Sequence, residues 1–323
     1  YRLLQGESYR DPRTPDGAGV RGRASVQQDW RTRFITTQTL NWNKSFNGVH
    51  NVSAILGFEF LSETREGLSG AGIGFPTFQF RTIQSAATPE SITGFWTGYR
   101  RISGFASANY DYKKKYLATV TARYDGSSRF GANNRFGVFP SIRVGWSMVE
   151  EEFLKESTAV SELKLRASFG VTGNDQIGNF AARGLYGGAG NYSGSAGIRP
   201  SSLANLNLGW ETNQTLNFGV DYGFVNNRIT GSIDVFDRRT KDLLLDQPIL
   251  WTNGFGDIAN NVGELQNRGI EFELSTVNID RGGFRWNTTF NFTTIENKVI
   301  SLYDGLEALP ANPGIAVGQP VGN

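Results

Sequence analysis

The sequence predicts an all-β protein built from antiparallel hairpins. Three observations support this prediction: apolar and polar residues alternate with a period of two, the connections alternate between short and long, and aromatic residues lie beside the short ones. In the stretch "ANYDYKKKYLATVTARYDGSSRFG", the even positions from Tyr116 to Tyr124 are aromatic or apolar, and the odd positions carry residues such as Thr121 and Arg123. This pattern is typical of a strand with one apolar face and one wet face.

The same alternation recurs along the chain and predicts ten strands in five hairpins. Val, Thr, Ile and aromatic residues, which suit a pleated surface, dominate the apolar positions. The predicted strand pairs are 34–42 with 52–60, 102–112 with 116–124, 138–146 with 163–171, 216–222 with 229–235, and 270–274 with 284–292.

The connections fall into two classes that alternate. Short turns are predicted near 44–50, 111–115, 149–161, 223–227 and 278–283, and mostly long links near 61–98, 125–136, 173–209 and 241–263. Outer-membrane barrels have short periplasmic turns and long extracellular loops, and strands of about 9 to 11 residues suffice to cross. The sequence therefore predicts an antiparallel transmembrane β-barrel wall, with Lys113–Lys115 and Glu150–Glu152 at one end and Gly70, Gly131, Gly190 and Gly254 at the other.

The aromatic residues beside the short turns predict the membrane boundary. They include Trp42, Tyr110, Tyr116, Trp146 and Trp286, which would form an interfacial girdle. Because neighbouring residues of a strand point to opposite faces, Val120, Leu165, Phe218 and Phe272 are predicted to face lipid, and Thr121, Arg166, Asn217 and Glu271 the lumen.

Composition argues against other classes of function. The 323 residues carry a net charge of +2, no cysteine and one histidine, so we expect no nucleic-acid partner, no disulfide or cofactor, and no metal site. His50 is interpreted as a turn residue, the glycine-rich stretches 70–75 and 187–190 as flexible loops, and Glu150–Glu152 as a solvated turn. No acid–base or nucleophile constellation is evident, so an enzyme is not expected.

Four motifs carry a family resemblance: "YDGSSRFGANNRFGVFPSIRVGWSMVEEEFL", "ELKLRASFGVTGNDQIGNF", "LGWETNQTLNFGVDYGFVNNRITGSIDVFDRRTKDLL" and "NVGELQNRGIEFEL". In this order they resemble the barrel segments of SusC/RagA-type TonB-dependent outer-membrane transporters. The family barrel has about 22 strands. The resemblance implies that residues 1–323 are a partial barrel domain, an open arc from its middle part, without the plug, the TonB box or the terminal strands.

The resemblance also implies a function and partners. The whole protein would import glycan oligomers or peptides across the outer membrane of a Gram-negative, Bacteroidetes-like cell. Its partners would be the lipid bilayer, a SusD-like surface lipoprotein, and TonB through parts outside this chain. A passive porin, a barrel enzyme and a soluble carbohydrate-binding β protein are the alternatives.

Substrate contacts are expected in the long loops, where rings with an apolar face and a polar edge suit sugars or peptides. The candidate residues are Trp96, Tyr186, Tyr192, Trp251 and Phe255. Packing between loops is the alternative role for each ring. Charged residues at the strand positions that alternate with the apolar ones are expected to line the lumen and meet the plug. They are Arg123, Arg143, Lys164, Arg166, Glu211, Glu271 and Glu273.

Overall fold

The computed structural model describes residues 2–310 and 312–321, and for Tyr192, Asn312 and Pro313 the backbone alone. Strands dominate it: β1 (Arg2–Arg10), β2 (Arg23–Phe46), β3 (His50–Ile73), β4 (Thr88–Tyr112), β5 (Tyr116–Ser127), β6 (Phe136–Ser147), β7 (Val160–Asn174), β8 (Leu185–Tyr192), β9 (Ser195–Ser202), β10 (Glu211–Phe224), β11 (Ile229–Lys241), β12 (Leu244–Pro248), β13 (Asp257–Asn261), β14 (Glu264–Arg281), β15 (Phe284–Ser301), β16 (Ala308–Leu309) and β17 (Asn312–Ala316).

The helical elements are short. One α-helix, α1, covers Pro15–Ala18, and 3-10 turns cover Ile83–Ser85, Met148–Glu150, Trp251–Asn253 and Tyr303–Gly305. Within the described residues, none of the helices has the length and apolar character needed to cross a membrane.

Eleven strands form one sheet in the order β1-β2-β3-β4-β5-β6-β7-β10-β11-β14-β15. The pairs β8–β9, β12–β13 and β16–β17 form separate two-stranded sheets. All five predicted hairpins are present, and the sheet has one further strand, β1, beyond the ten predicted. In the described part of the chain β1 and β15 do not pair with each other, which confirms the predicted open sheet.

Strands β2, β3 and β4 are longer than the sequence pattern indicates. The predicted long link at 61–98 is wrong in its extent, because β3 continues to Ile73 and β4 begins at Thr88. Only residues 74–87 connect the two strands. Trp96, predicted in a loop, therefore lies within β4.

The two ends of the sheet differ as predicted. Lys113–Lys115 joins β4 to β5, and Glu150–Glu152 lies between β6 and β7, at the end with the short turns. Gly131 lies at the opposite end of β5, in the 128–135 link, and Gly190 and Gly254 lie in the long connections on that same side. Gly70 lies near the end of β3, four residues before the 74–87 link.

Two compact units divide the chain. The first contains the chain up to Thr36 and Phe60–Arg101; within it Arg65 binds Asp29 with three hydrogen bonds, and the Tyr9 and Phe75 rings meet edge to face at 5.5 Å. The second contains Thr37–Glu59 and the chain from Ile102 onward, with the buried cluster Phe130, Ala182 and Leu208.

The register of the second unit separates an apolar face from a polar one. Residues directly opposite each other in antiparallel strands share a face. One such row across seven neighbouring strands, β5 to β15, is aromatic or aliphatic throughout: Tyr116, Trp146, Leu165, Val220, Ile233, Phe272 and Phe292.

A second row on the other face is polar or glycine throughout: Thr121, Ser141, Gly170, Thr215, Arg238, Asn267 and Asn297. The eight residues of the facing prediction divide between the two faces as expected. The apolar face is the one that can meet lipid.

Candidate functional site

Glu151 organises the short-turn end of the sheet. Its carboxylate accepts hydrogen bonds from the Tyr116 hydroxyl at 2.7 Å, the Lys115 ammonium at 3.0 Å and the Trp146 indole Nε1 at 3.1 Å. These three donors lower the pKa of Glu151, the Tyr116 hydroxyl most, because they favour the charged carboxylate. The interpretation of Glu150–Glu152 as a merely solvated turn is therefore wrong for Glu151.

A chain of stacked rings runs along the same end. The Tyr112 and Tyr116 rings lie 6.3 Å apart, and the Tyr116 and Trp146 rings 6.4 Å apart, both nearly parallel. His50 lies 4.8 Å from the Tyr112 ring, and its Nδ1 is 2.8 Å from the Tyr110 hydroxyl. His50, interpreted from the sequence as a turn residue, is instead the first residue of β3, and it contacts two tyrosines of the predicted girdle.

Arg166 links three strands on the polar face. Its guanidinium donates two hydrogen bonds from Nε and one from Nη2 to Asp221 on β10, and another from Nη2 to Asp234 on β11 at 2.9 Å. Gly219 on β10 makes room for this reach, because a Cβ there would lie 2.7 Å from the Arg166 Cζ and 2.5 Å from an Asp234 oxygen. We call these three charged residues the Arg166 triad.

The other charged residues predicted to line the lumen differ in whether they form ion pairs or hydrogen bonds. Arg123 pairs with Asp125 at 2.8 Å and with Glu59 at 3.2 Å. Glu211 accepts a hydrogen bond from the Asn174 side chain and another from the Leu244 backbone. Four more lie on the polar face without an ion pair among the described residues: Arg143, Lys164, Glu271 and Glu273.

The long connections of the second unit pack against one another. Phe130, Ala182 and Leu208 form a buried core, and Trp210 lies 4.9 Å from the Phe130 ring. The Ser127 hydroxyl donates to Asp175 at 2.9 Å beside it. Hydrogen bonds from Asn205 to the Ala259 carbonyl and from Asn261 to the Gly209 carbonyl tie the later links together. Parts of the long connections thus form a packed, hydrogen-bonded layer around a small apolar core.

The predicted substrate-binding rings occupy different positions. Tyr186 on β8 is 71% exposed and Trp251 in its 3-10 turn is 77% exposed, whereas Phe255 is half-buried. Trp251 stands over Gly256, where a Cβ would approach its ring to 3.0 Å. No ring contact within the described residues joins these three side chains.

The other two candidate substrate-binding residues, Trp96 and Tyr192, both lie on strands. Trp96, 58% exposed, lies on strand β4 in the first unit. Tyr192 ends β8, and its side chain is outside the described part of the chain.

Sequence reasoning missed two apolar side chains on the long connections. Ile198 on β9 and Leu250 beside Trp251 are more than three-quarters exposed, as is Trp251. Ile198 pairs with Gly188, two residues along β8 from Tyr186, so these two side chains share a face of the β8–β9 hairpin. An exposed aliphatic residue in a glycine-rich loop gives no periodic signal, so only its exposure in the fold identifies it.

An open antiparallel sheet with an apolar face ending in an aromatic girdle, a polar opposite face and ordered long loops is the wall of an outer-membrane β-barrel. The chain belongs to the TonB-dependent receptor-like β-barrel family, whose model matches residues 2–323. The resemblance to SusC/RagA-type barrels and the outer-membrane location are thereby confirmed.

Curated relatives and solved structures agree with this assignment. TonB-dependent receptor P3 of Formosa agariphila is 35% identical over 90% of this chain and 29% of its own length. TonB-dependent receptor SusC of Bacteroides thetaiotaomicron is 40% identical over 66% of this chain and 22% of its own length. The chain thus spans about three tenths or less of these relatives.

The RagAB peptide transporter structure superposes with a TM-score of 0.92 at 26% identity, covering 98% of this chain and 36% of that chain. The outer membrane transporter YddB of Escherichia coli, 13% identical with a TM-score of 0.51, covers 88% of this chain and 35% of its own, and shares the fold alone.

Proposed function

We propose that this chain supplies barrel wall and extracellular loops to a SusC-like, TonB-dependent importer that takes up glycan oligomers or peptides. The observation that carries the proposal is the joint presence of a two-faced sheet and an ordered tier of long loops in a member of this family. The plug and the TonB box would belong to other parts of the protein. A SusD-like lipoprotein would cover the long-loop side, and no covalent chemistry is assigned to the protein.

The loops would provide the recognition surface. Tyr186 and Trp251 present wide apolar surfaces with a polar edge, and neither is used in packing as Phe130 is. Rings of this kind stack on the apolar faces of sugars and on peptide side chains. Phe255, which is half-buried, Trp96 and Tyr192 are secondary candidates. Ile198 and Leu250 would extend the same surface.

The polar face would pass the substrate and hold the plug. Arg143, Lys164, Glu271 and Glu273 have no ion pair among the described residues, so they are free to meet a plug or a solute. In contrast, Arg166 is already paired with both Asp221 and Asp234, so the Arg166 triad is assigned to the wall.

An uptake assay tests the proposal. Cells that lack the chromosomal copy would express the full-length protein, unchanged or with Tyr186→Ala and Trp251→Ala together, and would be offered labelled glycan oligomers and peptides. We expect TonB-dependent uptake of one class by the unchanged protein, and a loss of about tenfold in apparent affinity for the double variant, since a stacking contact contributes roughly 0.5–1.5 kcal/mol.

The control is Phe284→Ala, which removes an exposed ring at the short-turn end, 60% of whose surface is accessible. It should leave the apparent affinity unchanged. Uptake that continues without TonB would contradict the importer assignment, and unchanged uptake by the double variant would remove Tyr186 and Trp251 from the recognition surface.

A further inference from the structure

The lipid-facing side of β10, β11, β14 and β15 changes character abruptly toward the long-loop end. The row Phe218, Val235, Ile270 and Thr294 is mostly apolar. The next row on the same face, one step closer to the long loops, is Leu216, Asp237, Arg268 and Glu296. A further step brings Gln214, Arg239, Gln266 and Lys298. We call the charged members of the last two rows the charged rim.

The position of the rim fits the outer boundary of the membrane. Trp286 marks the girdle at the short-turn end of β15, and Glu296 is ten residues further along the same strand. At about 3.4 Å per residue and a tilt of about 40°, this separation corresponds to a height of about 25 Å, which is the usual height of the apolar band. The rim therefore lies at the level of the headgroups on the long-loop side.

A concavity joins the apolar row to the rim. It has a volume of about 570 Å³, with Phe218, Val235 and Ile270 on its apolar side and Asp237, Arg268 and Glu296 on its charged side. Such a groove, apolar below and charged above, matches the two ends of a lipid molecule.

The charges of the rim indicate which headgroup fits. Arg268 donates from Nε and Nη2 to one oxygen of Glu296, at 2.9 and 2.8 Å, and within the described residues its Nη1 protons have no acceptor. Asp237 is held by the Gln266 amide at 2.7 Å. Lys298 forms no ion pair among the described residues, and Arg239 has only a long contact of 3.7 Å to Asp237. The unsatisfied donors of the rim are therefore cationic.

We propose that this groove binds a phosphate-bearing lipid of the outer leaflet. Arg268 and Lys298, with Arg239 beside them, would receive the headgroup phosphate, and an acyl chain would lie along Phe218, Val235 and Ile270. A guanidinium and an ammonium give charge-assisted hydrogen bonds to phosphate oxygens, which strengthen where lipid excludes water. The inference concerns the outer face of the wall and is independent of the substrate proposed above.

Native mass spectrometry of the purified full-length protein in detergent tests this site. The probes are monophosphoryl lipid A and the same lipid after enzymatic removal of its phosphate. The test variant is Arg268→Gln with Lys298→Gln, and a second variant, Arg239→Gln, has a matched control in Arg238→Gln, the adjacent residue on the opposite face. For each variant, resistance of the barrel to unfolding in sodium dodecyl sulfate verifies that the protein is folded.

We expect the double variant to bind the phosphorylated lipid about tenfold more weakly than the unchanged protein, and Arg239→Gln more weakly than Arg238→Gln. The dephosphorylated lipid should bind the unchanged protein about as weakly as the phosphorylated lipid binds the double variant. Equal binding of the two lipids, equal binding by Arg239→Gln and Arg238→Gln, or full competition by millimolar inorganic phosphate would overturn the proposal. In the last case the rim would be a site for free anions.

Discussion

Substituting Val120 by arginine tests which face of the sheet meets lipid. Val120 is 53% exposed and lies in the apolar row Val120, Ile142, Phe169 and Leu216. It is four residues from Tyr116 in the girdle, which places it about 10 Å into the apolar band at the usual rise and tilt. An arginine near the midplane of the lipid face costs about 2–4 kcal/mol, so we expect Val120→Arg to lower the free energy of unfolding by about this amount.

The adjacent residue supplies the comparison. Thr121 faces the polar side, where its hydroxyl lies 3.0 Å from that of Ser107, so Thr121→Arg loses one hydrogen bond of about 1 kcal/mol and keeps the new charge in a wet environment. Urea unfolding of the full-length protein in lipid vesicles, followed by tryptophan fluorescence, measures both variants, with Val120→Leu as an apolar control. Equal losses for the two arginine variants, or a larger loss for Thr121→Arg, would refute the assignment of the faces.

Three further predictions concern side-chain contacts. Arg166→Gln should lower the free energy of unfolding by about 1–2 kcal/mol, because it leaves Asp221 and Asp234 unpaired with only 25% and 14% of their side-chain surfaces exposed; a urea midpoint equal to that of the unchanged protein would contradict this. Because the folded pKa of Glu151 is lowered, its stabilisation is present above its ordinary pKa of 4.5 and is lost as the pH falls through the folded value. Glu151→Gln should therefore flatten the loss of stability below pH 4.5, as measured by melting temperature against pH, and an unchanged slope would disprove the role of this carboxylate. Phe130→Ala should open the long-loop core at a cost of about 3 kcal/mol, detected as faster proteolysis of the 175–210 connection while the sheet remains intact.

The sequence contained enough information to predict the strands of the membrane-facing part of the sheet. Where one face meets lipid and the other meets water, alternation is enforced at every step, so hairpins such as β6–β7 and β10–β11 were predicted correctly. Strand β1 has no such constraint. In "RLLQGESYR" the adjacent residues Leu3 and Leu4 break the alternation, and the strand is defined by nine paired positions along β2, which a single segment does not reveal.

The error at Trp96 has a related cause. Residues 61–73 and 88–101 continue β3 and β4 with glycine and polar residues on both faces, a composition typical of loops. Cross-strand hydrogen bonds, rather than an apolar face, hold such segments in the sheet. The contacts of Glu151 were equally unpredictable, because its three donors come from two strands and a turn that only the fold brings together.

The reach of Arg166 across Gly219 has a consequence for how the wall is assembled. An arginine that spans two strand boundaries can meet both carboxylates only if β7, β10 and β11 are all in the correct register. A slip of one residue in β7 would turn Arg166 toward lipid and leave two aspartates uncompensated, at a cost of about 2–4 kcal/mol for the arginine alone. The glycine opening thus lets a single arginine favour the native register of three strands over slipped registers.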